Sequence, residues 1–199
     1  MGRTGGRHPQ LLQLTGSLRP ALVGEDVWGA GTIPLRVSVY DRPARLPEEL
    51  ITSVRCLVRV GERVVICRNA DGVVHALPGG RREPGETVEA TAVREVAEET
   101  GWRLDIGSIR PAGWLHLQHL GPWPTGGSGR PYPDFVMPVL RARAGERLAG
   151  AGEEWTDTDN YEIASWLATV AEAITLVAGE RRERWALPLL HQLREEATA

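Results

Sequence analysis

The chain has 199 residues, of which 42% are hydrophobic, and its formal net charge is −3. This length favours one domain with a single core plus extensions. The weak negative charge argues against a nucleic-acid polymer or an anionic membrane as the partner, because both usually select a strongly basic surface. We therefore expect a small-molecule partner.

The two cysteines and the lengths of the apolar runs bear on the cellular compartment of the protein. Cys56 and Cys67 lie in apolar runs without CxxC spacing, which favours two buried thiols in a reducing environment over a disulfide. No apolar run has the length of a signal peptide core or a membrane span. The sequence predicts a cytoplasmic protein that does not enter a membrane.

The first part of the chain differs in composition from the rest. Residues 1–33 are rich in Gly, Arg and turn formers and show no sustained apolar periodicity. They predict an N-terminal extension that is partly disordered or draped on the surface. Residues 34–199 are then expected to form a single domain that includes a C-terminal helix. At the start of this domain, Leu35–Tyr40 shows the alternation of apolar and polar residues that is typical of an edge strand.

A strand meander and a helix follow. Three short β-rich runs are separated by turn residues, and they are Val54–Val60, Arg63–Cys67 and Val73–Leu77. After the break at Pro78–Gly80 and Pro84–Gly85, a helical pattern covers Thr87–Thr100 and stops at Gly101.

The remaining elements enclose one long loop. Strand-like runs at Ile109–Leu117 and Phe135–Arg143 flank Leu120–Pro133, which is dense in Gly and Pro. Apolar periodicity returns from Ile163 through Trp166 to Val177. A final amphipathic helix is predicted over Glu180–Glu196, kinked or divided at Pro188.

The helix at Thr87–Thr100 carries the chemistry. At about 100° per residue, Glu95, Glu98 and Glu99 fall within one arc of its surface. Like charges at these spacings repel on an isolated helix, so their clustering indicates a cation. Carboxylate oxygens are the ligands that Mg²⁺ prefers, and a bound Mg²⁺ keeps waters that can contact phosphates.

The loop before this helix suits the same purpose. Gly79 and Gly80 permit close backbone approach, so the carbonyl of Gly80 can turn towards a metal. Glu86 stands near the helix start, where backbone N–H groups favour a carboxylate. Arg94 is the basic residue beside the acids and can fork onto Glu86 or Glu95.

These residues together resemble the Nudix box. Gly80 is followed after five residues by Glu86 and, after seven more, by the run from Arg94 to Trp102, with every fixed Gly, Glu and Arg of the motif present. Trp102 is bulkier than the common residue at the last position. The resemblance, including its flanks, covers about residues 51–177.

The resemblance implies an α/β fold, a mixed β-sheet sandwiched between helices in which the box forms a loop, a helix and a second loop. It implies that Glu95, Glu98, Glu99 and the Gly80 carbonyl bind one to three Mg²⁺ or Mn²⁺ ions. Gly79, Glu86 and Gly101 are the structural positions of the box. The implied reaction is attack by water on a phosphorus of a pyrophosphate linkage in a nucleoside diphosphate derivative.

The proton acceptor varies within that family between a box glutamate and a distal loop glutamate. Glu95 and Glu98 are the candidates in the box. Glu162 is favoured outside it, because it precedes Trp166 as the family's loop acid often does; Glu153 and Glu154 are alternatives. Arg94 is expected to act with these acids.

Candidate nucleobase contacts lie around the long loop. Trp123, His119 and Tyr132 could stack on a base, since aromatic faces bind nucleobases with little sequence dependence. Trp114 and His116 are weaker candidates for the same role. A second metal site at His116 and His119 is less favoured, because no further Cys or His lies nearby in the sequence.

Three matters stay open at this level. A non-hydrolytic nucleotide or ADP-ribose sensor on the same fold is the alternative function, although the intact acids favour the hydrolase. The residues Gln118–Leu120 match no substrate signature of the family. A homodimer is conceivable, with Leu35–Tyr40 as a pairing edge.

Overall fold

The computed structural model describes residues 6–28, 32–122, 131–148, 155, 161–180 and 183–196. Among these residues are four α-helices: α1 (Pro9–Ser17), α2 (Val88–Thr100), α3 (Val170–Ala178) and α4 (Leu187–Glu196). Nine strands accompany them: β1 (Leu22–Trp28), β2 (Ile33–Tyr40), β3 (Arg55–Val60), β4 (Arg63–Asn69), β5 (Val74–His75), β6 (Trp102–Leu104), β7 (Arg110–His119), β8 (Asp134–Arg147) and β9 (Glu162–Thr169).

The strands form one mixed sheet with the order β1-β2-β7-β8-β3-β4-β5. β3 pairs with β8 in parallel, and the other pairs between these strands are antiparallel. β9 pairs along the length of β4, and β6 pairs with the far end of β8. The predicted meander is confirmed, because β3, β4 and β5 are consecutive antiparallel neighbours.

Helices cover both faces of the sheet. Successive strand residues point to opposite faces. Leu57 of β3 packs with Leu189 and Val177 of α4 and α3 in one core cluster. Its neighbour Cys56 packs with Val96 of α2 in another. The predicted α/β sandwich around a mixed sheet is therefore confirmed.

Residues 6–28 have more structure than the sequence indicated. α1 buries Leu11 against Tyr40, Leu50 and Trp114, and β1 pairs with β2 from Leu22 onwards. The sheet therefore starts before residue 34, where the domain was expected to begin. α1 has nine residues and few buried positions, so its sequence shows little apolar periodicity. A helix this short is stabilised mainly by packing on the rest of the protein.

One strand was placed wrongly at the sequence level. Leu35–Tyr40 lies in β2, which is flanked by β1 and β7, so it is an inner strand and does not offer a free pairing edge. Its alternation resembles that of an edge strand because one face packs on the core while the other carries exposed Pro34 and Arg36. The edge beside it belongs to β1.

The C-terminal part agrees with the sequence at Trp166, which lies in β9 immediately before α3. The final helix is shorter than the predicted Glu180–Glu196: α4 begins at Leu187, after a 3-10 turn at Arg184–Ala186. Pro188 is the second residue of α4, where a missing N–H is tolerated because the first turn has no intrahelical acceptor. None of the described helices is both long enough and apolar enough to cross a membrane.

The docking of α1 can be tested with two leucines of the same helix. Leu11→Ala should lower the free energy of unfolding by about 2 to 4 kcal/mol, because it empties a buried position against Tyr40 and Trp114. Leu12 is 47% exposed, and Leu12→Ala should change stability by less than about 0.5 kcal/mol. Urea unfolding measures both. Equal effects would contradict the packing of α1 on the sheet.

Candidate active site

The acid-bearing helix α2 has clear boundaries. The side chain of Thr87 accepts a hydrogen bond from the Ala90 N–H at 3.1 Å, which caps the N-terminus. Gly101 ends the helix in the left-handed conformation, with φ 69°. Ala92 and Val96 are buried against the sheet. This helix confirms the predicted one and fixes which face its carboxylates present.

The glycine loop before α2 packs tightly on β3. The Val54 N–H donates to the Gly80 carbonyl at 2.9 Å, and the guanidinium of Arg55 donates to the Gly79 carbonyl. Gly79 has φ +139°, and a Cβ there would lie 3.0 Å from the Arg55 Cα. Position 79 therefore requires glycine for its backbone conformation and for the space beside β3.

The same loop lies against two of the predicted acids. The Gly79 N–H donates to Glu99 Oε2 at 2.7 Å. A Cβ on Gly80 would lie 2.6 Å from Glu95 Oε1. The structure thus brings Gly79, Gly80, Glu95 and Glu99 together, and a side chain at position 80 would displace the carboxylate of Glu95 from this position.

Arg94 joins the acids to one another. Its Nε and Nη2 fork onto the two oxygens of Glu86 at 2.8 and 3.0 Å. Its Nη1 donates to Glu95 Oε1 at 2.9 Å and to Glu98 Oε2 at 3.0 Å, and Nη2 also donates to the Arg81 carbonyl at 2.9 Å. Five acceptors therefore meet the five N–H donors of the guanidinium, so this side chain is held in one orientation.

The electrostatics of the acids differ sharply. Hydrogen bonds from Arg94 lower the pKa of Glu86 to about 2. Burial raises the pKa of Glu95, against the opposing effect of Arg94. Burial also raises the pKa of Glu99 to about 7, although the charge of Arg55 opposes it. Glu86 is thus a firmly ionised structural anchor, whereas Glu95 and Glu99 are carboxylates short of positive charge.

Glu98 is the most accessible of the box acids, with a side chain that is 42% exposed. Its backbone carbonyl accepts a hydrogen bond from the Trp155 indole at 2.8 Å. The indole of Trp155 thus caps a carbonyl in the last turn of α2, where helix carbonyls have no intrahelical donor.

A family comparison identifies this arrangement. The NUDIX domain family model matches residues 49–187, which is well over half of the chain. The chain belongs to the Nudix family. The loop, helix and glycine stop from Gly80 to Trp102 are accordingly its Nudix box, and the predicted resemblance is confirmed.

Two curated relatives match shorter stretches. A putative 8-oxo-dGTP diphosphatase of Bacillus subtilis is 44% identical over 47 residues, 24% of this chain and 32% of the relative. The nucleoside triphosphatase NudI of an Enterobacter species is 53% identical over 36 residues, 18% of this chain and 26% of the relative. The matches thus span about a third or less of these relatives.

Solved structures share the fold. A mutant of the Bacillus subtilis pyrophosphohydrolase BsRppH superposes with a TM-score of 0.56 at 19% identity, covering 87% of this chain and 97% of that one. A NUDIX hydrolase from Nitrosomonas europaea has a TM-score of 0.50 at 17% identity, covering 74% and 88%. At these identities the likeness establishes the architecture alone.

Nudix enzymes generally use divalent metal ions, and the donors of the box fit one. Glu95, Glu98 and Glu99 offer carboxylate oxygens, and Gly80, against which Glu95 lies, adds a carbonyl, so that all are hard oxygen donors of the kind Mg²⁺ and Mn²⁺ prefer. Glu95 and Glu99 are partly buried and lack full charge compensation, since burial raises both of their pKa values. A divalent cation would supply that compensation.

Glu162 does not lie on a loop that faces solvent. It is the first residue of β9 and only 1% exposed, and its Oε1 lies 2.9 Å from His75 Nε2. A proton acceptor for water must reach that water. The favoured role of Glu162 as the distal base is therefore not supported by its position. Glu153 and Glu154 lie outside the described residues.

The structure describes two of the three favoured base-stacking candidates, His119 and Tyr132. His119 is only 7% exposed, and its ring contacts Tyr132 at 5.3 Å and Phe135 at 5.7 Å, so it packs rather than projects. Tyr132 is 41% exposed. Trp123 lies outside the described residues.

The two remaining aromatic candidates are buried. His116 Nε2 lies 2.7 Å from Asp134 Oδ1 inside the protein, and Trp114 stacks on Tyr40 with ring centroids 4.0 Å apart. His116 and His119 both lie in β7, three residues apart and therefore on opposite faces of the strand. Their positions argue against a shared metal site.

An open cleft of about 480 Å³ runs beside the box loop. It is lined by residues 81–85 of that loop and by Glu48, Glu49, Ile51, Thr52 and Pro131. Arg82 on its wall donates to Glu48 Oε1 at 2.6 Å and to the Glu86 carbonyl at 2.7 Å. The described end of the predicted loop Leu120–Pro133 thus borders this cleft.

Sequence reasoning missed two residues that bear on the site. Arg55 holds the Gly79 carbonyl and opposes the rise in the pKa of Glu99. His75 pairs with Glu162 behind the box. Both lie in strands flanked by apolar residues, where no motif distinguishes them. Their proximity to the box arises from sheet pairing and not from spacing along the chain.

The anchoring of Glu86 predicts a specific pH dependence. Its pKa is 4.5 when unperturbed and about 2 in the folded protein, so its ionised form stabilises the fold fully above 4.5. That stabilisation is lost as pH falls from 4.5 through about 2. Wild type should therefore exceed Glu86→Gln in stability at neutral pH, and the gap should shrink across this window. Urea unfolding in the presence of a chelator measures it.

The matched control is Glu89→Gln, which removes an exposed carboxylate from the first turn of the same helix. It should show a much smaller gap at neutral pH, since the network of Arg94 remains complete. A gap for Glu86→Gln that stays constant down to about pH 2 would contradict the assigned pKa of Glu86.

Proposed function

We propose that this Nudix protein hydrolyses the pyrophosphate linkage of a nucleoside diphosphate derivative in a reaction that depends on Mg²⁺ or Mn²⁺. The observation that carries the proposal is the intact set of three acids on α2: Glu95 lies against Gly80, the Gly79 N–H holds Glu99, and Arg94 links Glu98 to Glu95. The names of the two curated relatives, a diphosphatase and a nucleoside triphosphatase, support the same bond class.

The proposed metal ligands are the carboxylates of Glu95, Glu98 and Glu99 and the carbonyl of Gly80. One to three ions bound there would neutralise the diphosphate oxygens and lower the pKa of a water molecule. The chain fixes the donors beforehand. Gly79 holds Glu99 through its N–H, and the missing side chain at Gly80 makes room for Glu95.

Arg94 acts as a positioning residue in this proposal. Its fork onto Glu86 fixes the guanidinium to the helix start, and its Nη1 holds Glu95 and Glu98 in one arrangement. Ordered donors lower the free energy needed to reorganise the site when charge develops on the phosphate. Arg94→Lys would keep the charge but lose the bidentate geometry.

In this proposal the proton acceptor is a glutamate of the box. Glu98 is the more accessible acid, whereas burial raises the pKa of Glu95, which favours uptake of a proton by that carboxylate. Glu162, the candidate outside the box, is only 1% exposed and so is withdrawn from water. The two box acids therefore carry the assignment.

The first test removes single ligands. Glu98→Gln and Glu99→Gln should each reduce metal-dependent hydrolysis by at least about a hundredfold, because each change deletes a ligand charge while keeping the side-chain shape. Initial rates in Mg²⁺ and in Mn²⁺ measure the effect, and circular dichroism verifies the fold. Glu89→Gln, on the exposed first turn of α2, is the matched control and should retain activity.

Turnover like that of wild type in either ligand variant would overturn the assignment of the box acids. The roles of Glu95 and Glu98 can be separated by the dependence of the rate on pH. Replacement of the base by Gln should abolish the acidic limb of the profile at saturating metal, whereas replacement of a pure ligand should lower the rate and raise the metal concentration required.

The substrate class is tested by a panel. Nucleoside triphosphates, nucleotide sugars, ADP-ribose, dinucleotides and coenzyme A are incubated with Mg²⁺ or Mn²⁺, and products are identified by mass. We expect cleavage within a pyrophosphate linkage, with ¹⁸O from water in one phosphate product. Tight binding of ADP-ribose or a nucleotide without turnover in either metal would instead favour the sensor function.

A further inference from the structure

A second group of ligand-type side chains lies behind the box. Cys67 of β4, His75 of β5 and Glu162 of β9 place a sulfur, a ring nitrogen and a carboxylate oxygen within 4.8 Å of one another. Sheet pairing assembles them: Cys67 lies opposite His75, and Asn69, two residues on from Cys67, lies opposite Glu162. Residues far apart in sequence therefore meet on one face of the sheet.

All three side chains are withdrawn from solvent. Cys67 is 0%, His75 5% and Glu162 1% exposed. A buried carboxylate is strongly unfavourable unless it is paired or coordinates a cation. Here Glu162 Oε1 lies 2.9 Å from His75 Nε2. Glu162 is paired with His75 in this way, and the sulfur of Cys67 completes a group of three donors.

The donor chemistry differs from that of the box. The box offers oxygens alone, whereas this group combines a thiolate, an imidazole and a carboxylate, a mixture that suits a borderline transition metal such as Zn²⁺. Donors on one tetrahedral Zn²⁺ lie about 3.3 to 3.8 Å apart, as follows from bonds of about 2.0 to 2.3 Å. The three donor atoms lie within 4.8 Å of one another, so small side-chain movements bring them to these distances.

We propose that Cys67, His75 and Glu162 form a buried three-ligand site for Zn²⁺ or a similar borderline divalent metal, with a fourth position for water. Binding releases the thiol proton of Cys67 to solvent, and His75 coordinates as a neutral imidazole through its unprotonated ring nitrogen, beside the carboxylate of Glu162. The ion replaces the hydrogen bond between His75 and Glu162 with two coordination bonds.

The site ties β4, β5 and β9 together immediately behind the box. Glu99, one of the proposed Mg²⁺ ligands, lies within electrostatic reach of both Cys67 and His75 but is not a donor of this site. The proposal is independent of the proposed hydrolysis, because metal binding is measured without any substrate.

The test uses Co²⁺ as a spectroscopic substitute for Zn²⁺. The full chain is produced in medium supplemented with Co²⁺ and then dialysed against excess Mg²⁺. We expect one cobalt per chain that resists Mg²⁺, with a thiolate-to-cobalt charge-transfer band. Cobalt at the box would bind through oxygens and give no such band. A folded wild-type protein without the band, carrying only the hydrogen-bonded pair of His75 and Glu162, would overturn the proposal.

The two free cysteines provide a matched pair of variants. Cys56 is also fully buried, in β3, and Cys56→Ser should keep the band whereas Cys67→Ser should lose it. Glu98→Gln should keep it too, since that change affects the box alone. Retention of the band in Cys67→Ser, or its loss in Cys56→Ser, would sink the assignment.

A measurement on the wild-type chain guards against a variant that fails to fold. Protein loaded with ¹¹³Cd²⁺ should show a resonance in the range of mixed sulfur, nitrogen and oxygen ligation. The same sample should show its oxygen-bound cadmium displaced by Mg²⁺ while this resonance persists. A spectrum with oxygen-type resonances only would contradict the site whatever the variants show.

Discussion

The site depends on the complete hydrogen bonding of one guanidinium. Arg94 meets five acceptors, and through them it links the loop before α2, the start of that helix and two of its outward acids. Without it, Glu95 and Glu98 would repel each other and spread into solvent. Its bond to the Arg81 carbonyl also connects the acids to the wall of the neighbouring cleft.

The second constraint is the close packing of the glycine loop on β3. Backbone hydrogen bonds from Val54 and Cys56 to the carbonyls of Gly80 and Pro78 extend the sheet into this loop. The approach leaves no room for a side chain at Gly79, and it brings that residue's N–H to Glu99. The sheet thus sets the position of the loop, and the loop sets the position of the carboxylates.

Local features were predictable from the sequence, and distant pairings were not. The bounds of α2, its cap at Thr87 and its stop at Gly101 follow from neighbouring residues, as does the clustering of Glu95 and Glu98 on one face. The placement of β1 beside β2 depends on pairings across 5 to 17 positions of the chain, and the burial of Glu162 against His75 on a pairing across 87, which no periodicity encodes. Glu162 was therefore expected on a loop because its neighbours gave no sign of its partner.

The box acids and the inner group of Cys67, His75 and Glu162 differ in donor chemistry, and this difference would direct two kinds of metal ion to separate sites. The box acids are oxygen donors, with Glu98 open to solvent, which suits a weakly held ion that exchanges with substrate. Borderline ions bind nitrogen and sulfur donors more tightly, so Zn²⁺ would be drawn to Cys67, His75 and Glu162 inside the sheet. Because that inner group lies behind Glu99 and shares no donor with the box, an ion held there would not compete for the box acids. The outer acids would then stay free to exchange Mg²⁺.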